Sequence, residues 1–194
     1  ARVRTVPNGV DLPAEGKLAR LRAGGRDLSV LFLGRLHPHK NPELLLRAWA
    51  GTAQRFPLWR LIFAGPDLAG LGRRMRVLSA ELGCSERIEF RGHVEGEAKA
   101  DLLARVRVLV LPSKSENFGN VVAEALAYGT PVITTRGTPW AEAPRRGCGW
   151  WVDGEEHALE AALTEALSLT DSGVAAMGNR GRQWMAEAFS WASV

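Results

Sequence analysis

The chain has 194 residues, 46% of them hydrophobic, which suits one domain with a sizeable core. Charged residues make up 24%, an ordinary soluble surface, and 25 basic against 21 acidic residues give a net charge of +4. The basic residues are dispersed apart from pairs such as Arg73-Arg74 and Arg145-Arg146. That argues against a nucleic-acid footprint, in which cations cluster with interleaved aromatics.

Cys84 and Cys148 are too few and too far apart for a disulfide framework or a zinc site, which favours a reducing, cytoplasmic compartment. No apolar run approaches the ~18 residues of a membrane span, and no signal peptide is read. Peripheral association of a longer enzyme with the inner face of a membrane stays open. The opening ARVRTVPNGVDLP reads as the middle of a strand leading to a turn, and FSWASV follows directly on a helical pattern. The expectation is that residues 1–194 are one domain excised from a longer protein.

In chain order, short apolar runs alternate with longer amphipathic segments. Strands are expected at Ser29–Gly34, Trp59–Ala64, Arg87–Phe90, Arg107–Leu111, Pro131–Thr135 and Trp150–Val152. Their hydrophobicity is near-continuous, as in strands buried on both faces. Helices are expected at 42–56, 68–82, 95–105, 120–128, 155–168 and 173–188. The first carries Asn41 as N-cap, Pro42 at the first helical position and Glu43 as an early acid. Gly83 and Gly129 stand where helices end. Regular β-α alternation predicts an α/β fold, a Rossmann-like parallel sheet with helices on both faces. Ligands of such sheets lie beyond the carboxyl ends of the strands.

Two of those loops carry suitable chemistry. The first, GRLHPHKN (34–41), has neither a dinucleotide fingerprint nor a Walker A motif, but Arg35 and Lys40 flank a helix start. Two cations beside backbone N–H groups suit a phosphate; surface residues with no ligand are the plain alternative. The second, PSKSENFGNVVAEALAYGTPV (112–132), places Glu116 ahead of a helix and Glu124 one turn inside it. Gly119 lets backbone amides near 118–121 approach a ligand, a second anion site facing the first. Neither glutamate should touch phosphate. Glu124 suits a ribose and Glu116 a sugar, against the alternative of a dipole-complementing helix acid and a solvated loop acid. A hydrolase pair needs its carboxyls about 5–10 Å apart across one bond, and these two should diverge.

The pieces PNGVD (7–11), FLGRLHPHKN (32–41), IFAG (62–65), IEFRGHV (88–94), LVLPSKSENFGNVVAEALAYGTPVI (109–133) and CGWWVD (148–153) resemble a known family. The chain is similar to the C-terminal, donor-binding half of retaining GT-B glycosyltransferases of the family 4 type, in particular the bacterial lipopolysaccharide and exopolysaccharide branch. The resemblance implies that Arg35 and Lys40 bind a donor diphosphate and that Glu116 contacts sugar hydroxyls, without being assigned as a nucleophile. It places the amides of Phe118 and Gly119 near sugar and phosphate, and Asn120 and Val121 at the phosphate-binding helix start. Glu124 holds the ribose, and Gly92, His93 and Val94 frame the base. It further implies a nucleotide-sugar as substrate, no metal, no other cofactor, and an acceptor site on an N-terminal domain outside this chain. Without that domain the expectation is a fragment that transfers no sugar. A non-catalytic nucleotide-sugar binding module, or another GT-B enzyme such as an epimerase, is the competing reading.

The remaining candidates are set lower. His37 and His39 lack a third metal ligand, and His157 opens a helix in solvent. Trp49, Trp59 and Trp184 read as core, and Trp150 and Trp151 should split between core and surface. Trp140 reads mainly as packing for its loop, and Glu142 is not assigned.

Overall fold

The computed structural model describes residues 8–68 and 70–193. The strand expected at the opening of the chain falls on residues 1–7 and lies outside the described residues. Six strands, β1 (Asp27–Leu33), β2 (Arg60–Ala64), β3 (Ile88–Gly92), β4 (Val106–Leu111), β5 (Val132–Thr135) and β6 (Gly149–Val152), form one sheet in the order β3-β2-β1-β4-β5-β6. Every neighbouring pair is parallel. The helices are α1 (Glu15–Leu21), α2 (Pro42–Ala53), α3 (Leu71–Glu81), α4 (Gly96–Arg105), α5 (Asn120–Ala127), α6 (Glu142–Arg145), α7 (Glu156–Leu167) and α8 (Asp171–Ala188). The Rossmann-like α/β expectation is met.

Period-two alternation within the strands feeds two cores. Val30, Phe32, Leu61, Phe63, Val108, Val110 and Ile133 face α2, α3 and α7, around Trp49 and Trp59. Leu31, Leu33, Ile62, Leu109, Leu111 and Val132 face α4, α5 and α8, around Trp140 and Trp184. With both faces covered, the central strands can be apolar throughout. Trp49, Trp59 and Trp184 are core as expected. Trp150 and Trp151 do not split: both are half-buried, Trp150 against the first core and Trp151 with its Nε1 donating to Thr138 O at 3.1 Å beneath Arg136.

Asn41 does start α2, but not as a side-chain cap. Its φ is 52°, the only positive value outside glycine among the described residues, and its side chain makes no capping bond. A 3-10 turn at Pro38–Lys40 runs straight into α2, and the reversal between them uses the left-handed conformation that Asn tolerates. Gly83 and Gly129, at φ 68° and 63°, end their helices as expected.

The strand order positions the site. It reverses between β1 and β4, whose residues pair as Val30 with Val108 and Leu31 with Leu109. The loops leaving these two strands diverge to opposite sides and open a crevice at their carboxyl ends. One is the Arg35–Lys40 loop and the other carries Glu116 to Gly119.

Candidate donor-binding site

Arg35, Lys40, Glu116, Phe118, Gly119, Asn120 and Val121 line one cleft of about 420 Å³. Convergence of the two cations on the start of α5 is thus present in the fold. Gly119 is the N-cap of α5 at φ 81°, in the left-handed region where a Cβ is costly. Lys40 and Glu116 form an ion pair within this cleft, their side chains 23% and 11% exposed. Ser113 Oγ donates to the same Glu116 Oε1 at 2.6 Å. Arg35 is exposed and has no acidic partner among the described residues.

The walls of the cleft are fastened from behind. Glu116 N–H donates to Gly137 O at 2.9 Å, Lys114 N–H to His39 O at 2.9 Å, and Thr135 Oγ1 to Ser113 O at 2.5 Å. A Cβ on Gly137 would lie 2.3 Å from Lys114 O, so only glycine lets these two loops meet. Trp140, 1% exposed, donates its indole N–H to Phe118 O at 2.6 Å. It therefore holds the loop ahead of α5 from beneath.

A larger cleft of about 950 Å³ shares Asn8, Phe118 and Asn120 with the first. Glu124 lines it, so the two glutamates do diverge, each into its own cleft. Lys99 reaches Glu124 from α4, Nζ to Oε1 2.7 Å, and Lys17 pairs with Glu97 at 2.7 Å. Asn8 Nδ2 donates to Asn120 Oδ1 at 2.9 Å, joining the segment after residue 7 to the start of α5. Gly92, His93 and Val94 line neither cleft: Gly92 and His93 are exposed and Val94 packs on the second core. The α4 wall comes from Gly96, Lys99, Ala100 and Leu103.

The negative end of α5 is covered by arginines. Arg182 donates to Ala127 O at 2.8 Å, Arg26 to Gly129 O at 2.5 Å, and Arg22 to Tyr128 O. Its first amides have no carbonyls behind them within the helix, so a positive dipole end is left to the clefts.

The profile of the glycosyl transferases group 1 family matches residues 17–184. The chain belongs to this family. D-inositol 3-phosphate glycosyltransferase from Streptomyces avermitilis is 35% identical over 206 residues, covering 98% of this chain and 44% of that protein. The chain thus spans about half the length of the curated relatives it matches. Among solved structures, sucrose-phosphate synthase from Thermosynechococcus elongatus superposes with a TM-score of 0.82 at 28% identity, over 98% of this chain and 49% of that one. The C-terminal domain of a glycosyl transferase group 1 family protein from Francisella tularensis has a TM-score of 0.79 at 18% identity, over 94% of this chain and 100% of that one. These matches fix the fold as the C-terminal Rossmann-like half of GT-B.

For this glycosyl transferase group 1 domain, sequence reading found the residues of the loops and missed those that reach in from elsewhere. Lys99 and Lys17 sit on helices with ordinary surface charge patterns, and Ser113 is a single hydroxyl at a strand end. Asn8 lay within the quoted PNGVD segment, whose position against α5 is visible only in the fold. Among the described residues, no helix is long and apolar enough to cross a membrane.

Proposed function

We propose that this domain binds the nucleotide-diphosphate-sugar donor of a retaining glycosyltransferase, the diphosphate in the smaller cleft and the nucleoside in the larger. The supporting observation is that Arg35, Lys40 and the glycine-capped start of α5 line the same cleft. Arg35 and Lys40 then neutralise the diphosphate as leaving-group charge develops, without a metal or other cofactor, and the α5 amides at Asn120 and Val121 orient it. Glu116 meets hydroxyls of the donor sugar beside the amides of Phe118 and Gly119. Glu124 accepts from the ribose, and the base lies in the larger cleft against Gly96 and Lys99, since the Gly92–Val94 segment expected to frame it lines neither cleft.

Lys40 must exchange Glu116 for phosphate when the donor enters, and that exchange frees Glu116 for the sugar. Arg35 has no such partner to give up, so its net contribution to affinity is the larger. Transfer takes place against an acceptor held by a second, N-terminal domain, and the 194-residue chain alone transfers no sugar.

The acceptor has two readings. The resemblance that CGWWVD (148–153) helps to carry points to lipopolysaccharide or exopolysaccharide assembly at the inner membrane face. The curated relatives at 35–36% identity are named for D-inositol 3-phosphate, which favours a small phosphorylated cyclitol. Calorimetric titration with UDP, GDP and ADP tests the donor reading. Arg35→Ala should weaken the preferred nucleotide by about ten- to a hundredfold, the worth of one or two charge-assisted hydrogen bonds, and Lys40→Ala by less. No diphosphate binding, or affinity indifferent to both substitutions, refutes it.

A further inference from the structure

Among the described residues Leu28, Leu58, Leu68, Val77 and Trp191 are large apolar side chains left exposed, and Trp191 is the one that lines the larger cleft. Single exposed apolar residues are ordinary, but an indole 67% exposed at the wall of a cleft calls for a reason. Two other rings line the same cleft. Phe118 is spent on Trp140 and Phe189, with ring centroids 5.2 and 5.7 Å away, and Tyr128 packs on the second core. Trp191 has neither a ring nor a cation stacked against it among the described residues.

The indole is seated from one side. A Cβ on Gly9 would stand 2.4 Å from Trp191 Cε3, 2.5 Å from Cδ2 and 2.8 Å from Cζ3. These are three consecutive ring carbons with Cε3 in the middle. An approach in the ring plane would leave the outer two much farther than the middle one, so near-equal distances place Gly9 under a face of the ring. Gly9 does not adopt a positive φ, so its backbone would accept any residue, and the ring is what requires glycine there. The segment that carries the ring is tied down on both sides of it. Val10 N–H donates to Phe189 O at 2.7 Å, and Ser193 Oγ donates to Ala186 O at 3.1 Å. One face of Trp191 is thus held on the backbone of residue 9, and the opposite face is open.

We propose that Trp191 is the platform on which the nucleobase of the donor stacks. The inference rests on the reading above for the presence of a nucleoside in this cleft, and it adds the residue that grips the base. A ring already packed on one face loses little freedom when a flat ligand covers the other. Every base presents a π-face, so the contribution of the stack is common to uracil, guanine and adenine. It is also separate from the diphosphate, since Trp191 lines the larger cleft and not the smaller one.

Trp191→Leu keeps an apolar side chain and removes the π-face. Calorimetry with UDP, GDP and ADP should show every nucleotide that the parent binds weakened by about five- to a hundredfold, the scale of one base–aromatic stack. Inorganic pyrophosphate should stay within about twofold, the denaturant midpoint should not move, and Trp191→Phe should recover part of the loss. Gly9→Ala displaces the ring without removing it, so it should weaken the same nucleotides in the parent and cost nothing further once residue 191 is leucine. Trp49, Trp59, Trp140 and Trp184 are buried, so acrylamide quenching reports mainly on the more exposed indoles. Nucleotide should protect part of the fluorescence in the parent and none in Trp191→Leu. Nucleotide affinity indifferent to Trp191→Leu would overturn the platform and leave the diphosphate cleft standing. An equal loss for pyrophosphate would overturn it as well, because the ring would then be acting through the start of α5. Adenosine and uridine carry no phosphate and should weaken by the same factor as the nucleotides. The stack is therefore tested even where pyrophosphate binding ignores Arg35→Ala and the diphosphate reading fails. A parent chain that binds neither nucleotide nor nucleoside refutes both.

Discussion

Lys99 Nζ, on α4, lies 2.7 Å from Glu124 Oε1, on α5, and both side chains are about one-third exposed. Lys40 does the same for Glu116 from the loop after β1. Each carboxylate of the Glu-x7-Glu segment is therefore matched by a lysine from a different element. The reason is electrostatic. Four residues of helix rise separate Glu124 from Asn120, and at about 6 Å two unit charges repel by about 3 kcal/mol at an effective dielectric of 20. Pairing removes most of that penalty for an anion at the start of α5 while keeping the carboxylate available as an acceptor.

Lys99→Met should therefore separate binding from stability. The pair is partly solvated, so unfolding free energy should change by no more than about 1 kcal/mol. Inorganic pyrophosphate, which has no ribose to lose, should bind about tenfold more weakly, a change of roughly 1.4 kcal/mol. Adding Glu124→Gln to the same chain should restore most of the pyrophosphate affinity. Calorimetry at fixed ionic strength measures both, and unchanged pyrophosphate affinity in the single variant would exclude the screening role.

At position 119, alanine should be costly for backbone reasons alone. The left-handed conformation costs about 1–2 kcal/mol in any residue with a Cβ. The added carbon would also stand 3.3 Å from Leu111 Cδ2 and 3.4 Å from Trp140 Nε1. Gly119→Ala should lower the denaturant midpoint accordingly and weaken nucleotide binding beyond the stability loss, because the start of α5 is displaced. A chain as stable as the parent would mean that residue 119 relaxes out of φ 81°.

The sheet was legible because its strands are buried on both faces, a pattern of continuous apolar runs that needs no tertiary knowledge. The two α-helices that escaped lack such a pattern. In α1, seven residues bury only Leu18, and α6 is four residues long with Pro144 inside it. At the site, Arg35, Lys40 and Glu116 were legible because the loops that carry them are bounded by strands and glycine turns. Lys99 was not, since it lies 25 residues from Glu124 and meets it only after α4 and α5 pack side by side. Asn41 was right in place and wrong in mechanism, because the 3-10 turn ahead of α2 leaves no sequence mark beyond Pro38.

Trp140 provides a test of how the loop ahead of α5 is held. Its indole N–H is bonded to Phe118 O, and its ring lies 5.2 Å from Phe118, 5.6 Å from Trp184 and 5.7 Å from Phe189. Trp140→Phe keeps most of the apolar contact and removes the donor, leaving a carbonyl unsatisfied at about 1–3 kcal/mol. Amide exchange at Phe118 and Gly119 should accelerate by more than at the sheet amides of β1 and β4. Uniform acceleration across the domain would show a global packing loss rather than release of this loop.

The two thiols should report the integrity of the core. Cys84 and Cys148 are buried, and burial pushes both thiols up, Cys148 to about 11. The reactive species is the thiolate, so at pH 8 a disulfide reagent should modify neither until the chain opens. The same shift sets a pH dependence. Between the ordinary thiol range near 9 and about 11, the unfolded chain has released the Cys148 proton and the folded chain still holds it. The unfolded state then binds fewer protons, so stability falls as pH rises through that window. Guanidinium unfolding at pH 8 and pH 10.5 should show the loss, and Cys148→Ala should remove the part of it that this thiol contributes. Rapid labelling of the folded chain at pH 8 would contradict the burial of both side chains.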